Sequence, residues 1–288
     1  MSDKKTDEIT GVETTGHSWD GIEELNNPLP RWWLWTLYAT IIWGVIYTIA
    51  YPAWPMVNGA TTGLLNWSTR ANVAADIAEH EAANEALVAS LLEADMATLP
   101  ESADLNRYAI ARGGSVFRAQ CSQCHGSGAA GAKGYPNLLD DDWLWGGSMD
   151  AIIHSVRHGI RNDTDEDARY SEMPAFGEML DAEEIDAVVE YVVSLSDPAH
   201  EAELAAAGGE VYAEQCASCH GDDARGDREQ GAPNLADAIW LYGGDRETLH
   251  ETVVNARFGV MPAWGPRLSE ADVRAVSAYV HALGGGEQ

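Results

Sequence analysis

The longest apolar segment of the chain lies near its N-terminus. Residues 32–54, WWLWTLYATIIWGVIYTIAYPAW, are 23 residues without a charged side chain. At about 1.5 Å per residue, a helix of this length crosses the roughly 30 Å hydrocarbon core of a bilayer. Tryptophan and tyrosine crowd both ends, as is typical of side chains at membrane–water interfaces. The pattern therefore predicts one transmembrane helix.

A cleaved signal peptide is the alternative for this segment. Signal peptides have a short basic leader and an apolar stretch of about 7–15 residues. Here residues 1–31 form a long acidic leader, and the apolar run is longer. We therefore predict a retained anchor over residues 32–54, with residues 1–31 on the cytoplasmic side. Disorder is expected before residue 20.

Beyond the span, apolar positions recur mostly at helical spacing. Residues 104–120 and 201–215 are rich in alanine and other helix formers. Two later stretches place apolar side chains on one helical face, namely Ile185, Val188, Val189 and Val192, and Val273, Val276, Ala278 and Val280. Little β pattern is visible, so the fold is predicted to be mainly α.

The segment between the span and these helices, residues 55–103, is a linker that is helical in part. Within it, residues 70–95 are rich in alanine and acidic side chains, with a possible apolar stripe. Such a helix is either a solvated spacer or a docking surface for a partner, and the sequence leaves both open.

The second half of the chain repeats itself. The matched positions are Gly113-Gly114 with Gly208-Gly209, Phe117 with Tyr212, Pro136-Asn137-Leu138 with Pro233-Asn234-Leu235, Trp143-Leu-Trp145-Gly-Gly with Trp240-Leu-Tyr242-Gly-Gly, Met173-Pro-Ala-Phe-Gly with Met261-Pro-Ala-Trp-Gly, and Leu180 and Tyr191 with Leu268 and Tyr279. Equal offsets of this kind indicate two copies of one fold. We predict domains over residues 104–199 and 200–288, joined by a short connection.

Each copy is predicted to be a set of helices around one site. Asp181 and Ser269 stand where helix N-caps are expected. The paired glycines of the first helix let the last helix approach closely, with Tyr191 or Tyr279 at the crossing.

The charge balance excludes one class of partner. The chain has 46 acidic and 17 basic residues, a net charge of −29. A nucleic-acid-binding protein needs a cationic surface, so nucleic acid is excluded as a partner. Long-range attraction to a basic protein and adaptation to a salt-rich habitat both explain the acidity, and they are compatible.

Two pentapeptides carry the chemistry. Cys121-Ser-Gln-Cys124-His125 and Cys216-Ala-Ser-Cys219-His220 both have the C-x-x-C-H pattern of c-type haem attachment. The cysteines would form thioether bonds to the haem vinyl groups, and the histidine would bind the iron. Two disulfides or one zinc site are the alternatives, but a zinc ribbon needs its cysteine pairs about 15–20 residues apart. The pattern predicts two haem c and electron transfer.

The sixth iron ligands are predicted to be Met173 and Met261, in equivalent Met-Pro-Ala loops. A thioether is a soft ligand that raises the reduction potential. Met173 is expected at the first haem and Met261 at the second. His158 is the alternative ligand for the first haem.

Other side chains are candidates for supporting the haems. Pro136 and Pro233 are expected to offer a carbonyl to the outer nitrogen of each ligating histidine, which would fix the ring. The candidates for hydrogen bonds to haem propionates are Arg157, Arg161, Trp145 and Tyr242.

Together these features resemble the dihaem membrane subunit, CcoP or FixP, of cbb3-type cytochrome c oxidases. The most specific part is residues 20–33, DGIEELNNPLPRWW, at the entry to the span. The single span, the linker, the two C-x-x-C-H motifs and the paired methionine loops match in order. Arg157-His158-Gly159 and Ser171-Glu172-Met173-Pro174 also match the first domain of the family.

The resemblance implies a fold and a function. The fold is one transmembrane helix followed by two tandem cytochrome c domains. The function is electron transfer from a soluble or membrane-bound cytochrome c donor, through a monohaem cytochrome c subunit, to a haem–copper catalytic subunit that reduces oxygen and pumps protons. The chain itself would not be catalytic. Because haem attachment occurs outside the cytoplasm, the haem domains are expected in the periplasm, anchored to the bacterial inner membrane.

Two other classes of function stay open at this point. One is a free-standing membrane-bound dihaem carrier. The other is a dihaem redox enzyme such as a peroxidase, which needs an open or displaceable iron ligand.

Overall fold

In a computed structural model that describes residues 4–287, the chain forms two units. One unit runs to Ala83 and the other begins at Asn84. The helix α2, Thr69–Glu93, covers this boundary in the sequence.

The first unit begins with a β-hairpin of β1, Thr14–Trp19, and β2, Ile22–Leu25. Asp20 and Gly21 form its turn, with φ of 51° and 87°. Asp-Gly is favoured in such two-residue turns because both positions need positive φ. The expectation of disorder before residue 20 is therefore wrong for this strand, and the Asp-Gly signal would have corrected it.

The apolar segment forms α1, Arg31–Ala50, which is 20 residues long. It is the one helix in residues 4–287 that is long and apolar enough to cross a membrane, with a mean hydropathy of 1.4 and no buried residue. The helix ends before residue 54 because Tyr51 precedes Pro52 and takes an extended conformation, with φ −113° and ψ 162°. A small hairpin follows, with β3 at Pro55–Met56 and β4 at Gly59–Ala60.

The second unit is mainly helical, as predicted. After the C-terminal part of α2 it contains α3, Ala103–Val116; α4, Ser122–His125; α5, Met149–His158; α6, Ala182–Ser194; α7, Ala202–Gln215; α8, Ala217–His220; α9, Arg246–Asn255; and α10, Glu270–His281. Short 3-10 turns lie at Leu99–Glu101 and Phe176–Glu178, and a π-helical turn spans Phe117–Cys121.

The predicted caps of the closing helices are confirmed. Asp181 caps α6 by accepting from the backbone N–H of Glu184, whose side chain accepts from the N–H of Asp181. Ser269 caps α10 by accepting from the N–H of Asp272. These bonds satisfy N–H donors that the first helical turn leaves free, and those of α6 form a reciprocal capping box.

The closing helix of each repeat packs against the first helix of the other repeat. In one pair, a Cβ on Gly113 of α3 would overlap the carbonyl group of Ala275 in α10. In the other, a Cβ on Gly208 of α7 would overlap the carbonyl group of Ala187 in α6. The glycines do allow close approach, as predicted, but the pairing crosses between repeats. The domain boundaries 104–199 and 200–288 remain a prediction. Each hydrophobic core contains helices from both sides of the boundary at residue 200.

The clusters of buried residues show the same pairing of helices from different repeats. One core joins α3 and α5 with α10, and includes Phe117 and Val276, each at most 1 % exposed. Other clusters join α6 with α7 and α9, through Val188, Tyr212 and Leu249. Each hydrophobic core is thus built from both repeats, which ties the two together by apolar burial.

Candidate haem sites

Each C-x-x-C-H motif lies where a long helix ends. Cys121 closes the π-helical turn after α3, and α4 then carries Cys124 and His125. In the second repeat, Cys216 ends α7 and α8 follows. Glycine with φ of 79° ends both motifs, at Gly126 and Gly221. The two motifs therefore end in the same backbone turn, although only the first begins in a π-helical turn.

The cysteines are free thiols, which removes the disulfide alternative. Within residues 4–287, one group of three potential metal ligands lies close together, namely His158, Asp165 and Asp167. It contains no cysteine, which argues against a zinc site built from the cysteines. Burial raises the pKa of Cys121 and of Cys216 to about 11, and the neighbouring cysteine of each motif makes a smaller contribution in the same direction. Both thiols are therefore neutral, as suits an apolar wall.

The histidines of the two motifs are each held by a proline carbonyl, as predicted from the sequence. The Nδ1 atom of His125 lies 3.1 Å from the carbonyl oxygen of Pro136, and that of His220 lies 3.0 Å from Pro233. A carbonyl only accepts, so Nδ1 carries the proton and Nε2 is left with a lone pair for iron. Burial lowers the pKa of both imidazoles, which favours the neutral form that binds metals.

The first motif faces a cavity of about 200 Å³ that residues of both repeats line. Cys121, Cys124 and His125 stand on one side. The second repeat contributes Leu241, Val260, Met261, Pro262, Trp264, Val276 and Val280. Met261, not Met173, thus shares the cavity with the first histidine. This differs from the expectation that each repeat supplies both axial ligands of its own haem.

The loop that carries Met261 is held by the first repeat. Ile160 and Met261 exchange two backbone hydrogen bonds of 3.0 Å. Arg161 donates from Nε to the carbonyl of Gly259 at 2.8 Å, and Asn162 donates to that of Met261 at 3.3 Å. Gly159, with φ 76°, is needed because a Cβ there would overlap the same carbonyl oxygen. The Arg157-His158-Gly159 motif therefore ends at the support of the methionine loop.

The loop after Met173 lies against the second repeat. Phe176 is buried, and its 3-10 turn contacts α9. A Cβ built on Gly177 would lie 2.8 Å from Cγ1 of Val254 in α9. Leu180 packs with the cluster around Leu249. Each methionine loop therefore packs against the repeat to which it does not belong.

Several features of the first cavity fit a haem. Its wall is mostly apolar, as a porphyrin ring requires. The Nε1 atom of Trp145 is buried there and has no hydrogen-bond partner among residues 4–287. Arg161 also lines the cavity, and burial lowers its pKa without removing its charge. An unpaired N–H and a half-buried cation suit the anionic propionates of a haem.

The remaining candidates are engaged elsewhere. His158 is bonded through Nδ1 to both carboxylate oxygens of Asp165, at 3.1 Å each, and is not one of the described residues that line the first cavity. Arg157 pairs with Glu270, and the guanidinium of Arg257 lies 4.7 Å above the ring of Tyr242. Of the four proposed propionate partners, Trp145 and Arg161 line the cavity.

Two family models match the chain. The N-terminal domain of cytochrome oxidase-cbb3, FixP, matches residues 11–58. Cytochrome C oxidase, cbb3-type, subunit III, matches residues 109–192 and 203–280. These matches cover the hairpin, the span and both repeats.

Curated relatives match along the whole chain. A CcoP subunit of cbb3-type cytochrome c oxidase from Cereibacter sphaeroides is 58% identical over 290 residues, covering 100% of both chains. A FixP subunit from Sinorhizobium medicae is 50% identical, covering 99% of this chain and 98% of its own. A CcoP subunit from Rhodobacter capsulatus is 53% identical, covering 96% of this chain and 97% of its own.

Proposed function

The chain belongs to the cbb3-type cytochrome c oxidase subunit III family, which includes CcoP and FixP, and we propose on this premise that it passes electrons from a donor cytochrome c towards an oxygen-reducing centre. It is a membrane-anchored protein with one candidate span and two haem c domains in tandem.

One observation carries this proposal. Each C-x-x-C-H histidine has its Nδ1 atom tied to a proline carbonyl, at 3.1 Å for His125 and 3.0 Å for His220. The Met261 loop of the second repeat lines the cavity of the first motif, and the 3-10 turn after Met173 packs against α9 of the second repeat. Two fixed ligands per iron suit outer-sphere electron transfer, because the site changes little between oxidation states.

The proposed ligand sets are crossed between the repeats. Cys121 and Cys124 attach the first haem, and His125 with Met261 bind its iron. Cys216 and Cys219 attach the second haem, and His220 with Met173 bind its iron. The shared cavity of His125 and Met261 supports the first set, and the contact of the Met173 loop with α9 supports the second.

The protein's own residues have three tasks in this scheme. When bound, each haem supplies an iron that accepts and releases one electron. Pro136 and Pro233 hold the imidazole tautomers, which keeps Nε2 available. Ile160 fixes the Met261 loop through its backbone. Apolar side chains form most of the wall of the first cavity, and this environment would favour the ferrous state of a bound haem.

The proposed partners follow from the family. We expect a haem–copper catalytic subunit, a monohaem cytochrome c subunit and a soluble or membrane-bound cytochrome c donor. The chain would be a single-pass protein of the bacterial inner membrane, with its haem domains in the periplasm. Residues 4–13 and the first hairpin would then lie on the cytoplasmic side.

The two alternatives differ in what they require. A free-standing carrier would be stable and active alone, whereas a subunit should copurify with large hydrophobic oxidase subunits. A dihaem peroxidase needs a displaceable ligand and would turn over peroxide. The double hydrogen bond at Met261 opposes easy displacement, so we expect no peroxide turnover by the isolated chain.

The test is complementation of cells that lack this chain. Wild type should restore oxygen consumption driven by reduced cytochrome c. Replacing Cys216 and Cys219 by alanine should abolish it, because the second haem would not be attached. The matched control is Ser218→Ala, an exposed position inside the same pentapeptide. Full oxygen consumption by the double alanine variant would refute the proposal.

A further inference from the structure

Trp145 lies between the cavity of the first motif and the turn that carries Pro233 in the second repeat. Its ring lines the first cavity. The same ring lies so close to Gly231 that a Cβ on that glycine would overlap its carbons Cε2 and Cζ2. Gly231 has φ 61°, a conformation that glycine adopts without strain. A side chain of the first repeat therefore packs directly on the backbone of the second.

Gly231 stands two residues before Pro233, whose carbonyl oxygen accepts from Nδ1 of His220 at 3.0 Å. The turn between them is stiff, because Asp227 and Ala232 exchange backbone hydrogen bonds of 3.0 and 2.9 Å. A displacement at Gly231 is therefore transmitted to the Pro233 carbonyl over a short path.

The reciprocal contact exists at the equivalent positions. A Cβ on Gly134, which has φ 84°, would lie 3.3 Å from Cε1 of Tyr242. Gly134 also donates its N–H to the carbonyl of Leu241 at 2.9 Å. It stands two residues before Pro136, whose carbonyl oxygen accepts from Nδ1 of His125 at 3.1 Å. Trp145 and Tyr242 thus occupy matching places in the two repeats.

An arginine lies over each of the two aromatic rings. Arg169 donates to the carbonyl of Trp145 at 2.6 Å, and its guanidinium carbon lies 5.5 Å from the ring. Arg257 covers Tyr242 at 4.7 Å. A cation over the ring face restricts the ring. The two rings that contact the glycines are therefore restricted.

We propose that Trp145 and Tyr242 are reciprocal positioning residues, each of which sets the carbonyl hydrogen bond on the iron-binding histidine of the other repeat. The inference rests on the proposed haem ligation. A hydrogen bond at Nδ1 makes the imidazole a more basic ligand, which stabilises ferric iron. Through this bond the packing of one repeat controls the reduction potential of the haem held by the other.

The test is a redox titration of the purified, full-length, haem-loaded chain. Trp145→Leu removes the ring, whereas Trp145→Phe keeps an aromatic ring but removes the indole N–H. The variant with Cys216 and Cys219 replaced by alanine, which keeps only the haem of the first motif, identifies which potential belongs to which site. We expect Trp145→Leu to raise the potential of the haem held by His220, and Trp145→Phe to leave it nearer the wild-type value.

The reciprocal variant gives an independent measurement. Tyr242→Leu should raise the potential of the haem held by His125, and Tyr242→Phe should not, because the contact with Gly134 is made by the ring. It also covers the case in which Trp145→Leu fails to fold. A well-folded leucine variant with two attached haems and no potential change across the repeats would overturn the inference.

The proposed function and this inference fail in different ways. If wild type lacks two haems in a haem stain and by mass, the proposed function is refuted. If wild type holds both haems with thioether–iron bands and restores oxygen consumption, but the leucine variants shift only the haem of their own repeat, the positioning role alone is refuted.

Discussion

Ile160 and Met261 lie in different repeats, 101 positions apart in the sequence, yet each donates its backbone N–H to the carbonyl of the other at 3.0 Å. This antiparallel bridge delivers a methionine of the second repeat to the cavity of the first C-x-x-C-H motif. Its consequence is that neither repeat alone contains a complete pair of proposed iron ligands.

Met261→Ala should therefore change the first haem. Loss of the thioether removes a ligand that favours ferrous iron, so the potential of the haem bound by His125 should fall by a sizeable part of the roughly 0.8 V that axial ligands span. The haem should stay attached, because Cys121 and Cys124 are unchanged. A redox titration with a haem stain measures both effects.

Met173→Ala is the matched control for this experiment. It should lower the potential of the haem bound by His220 and leave the first haem near its wild-type potential. If the two variants instead affect the haems of their own repeats, the crossed ligand sets are wrong.

Gly208→Ala should disrupt the pairing of α6 with α7. A methyl group there would overlap the carbonyl of Ala187, which is backbone and cannot move aside cheaply. Overpacking of this kind costs about 1–3 kcal/mol, occasionally more. Gly209→Ala is the control in the same helix, because its Cβ would lie 3.4 Å from the ring of Tyr191, an ordinary contact. Chemical denaturation should show a clearly lower free energy of unfolding for Gly208→Ala alone.

The sequence predicts the individual helices well, but it says little about which repeat each helix packs against. Periodicity predicts the buried faces of α6 and α10, and capping predicts their first turns, because these are local properties. The Pro136 and Pro233 carbonyls were also predictable from their repeated positions. The tyrosines could not predict the pairing, because Tyr191 and Tyr279 are equivalent residues at equivalent interfaces. In the structure they pack on Tyr212 and Phe117, at 4.9 and 5.3 Å between ring centroids.

Two signals could have revealed the exchange. The connection from Ser194 to Ala202 is short, and short loops place consecutive helices side by side, which favours α6 against α7. The first repeat also has 14 positions from Gly159 to Met173, whereas the second has two from Gly259 to Met261. The extra segment carries Arg161 and Asn162, which hold the opposite methionine loop.

Glu190 should make the stability of the protein depend on pH in the acid range. It is buried in α6 of the first repeat and accepts from Arg246 of the second at 2.8 and 2.9 Å, and from the N–H of Glu201 at 2.7 Å. The bond to Arg246, opposed by burial, lowers its pKa from 4.5 to about 2. A lowered pKa stabilises the fold above pH 4.5, and this stabilisation is lost as the pH falls towards 2.

Glu190→Gln should remove that part of the pH dependence. The variant should be less stable at neutral pH by about 1–3 kcal/mol, since hydrogen bonds to a charged group are lost. Its free energy of unfolding should change less than that of wild type between pH 4.5 and 2. Asp104→Asn, which breaks an exposed pair with Arg107, is the control and should have almost no effect. Parallel curves for Glu190→Gln and wild type would contradict the assignment.

The acidity of the chain should be visible in the kinetics of electron delivery. With a net charge of −29, association with a basic cytochrome c should be steered by attraction, so its rate should fall steeply as ionic strength rises to about 0.15 M, where the Debye length is about 8 Å. An acidic cytochrome c is the control, and its rate should rise with salt. The free energy of unfolding should be measured over the same range, because reduced self-repulsion in a salt-adapted protein would raise it. A flat rate with a rising stability would assign the charge to the habitat instead of the donor.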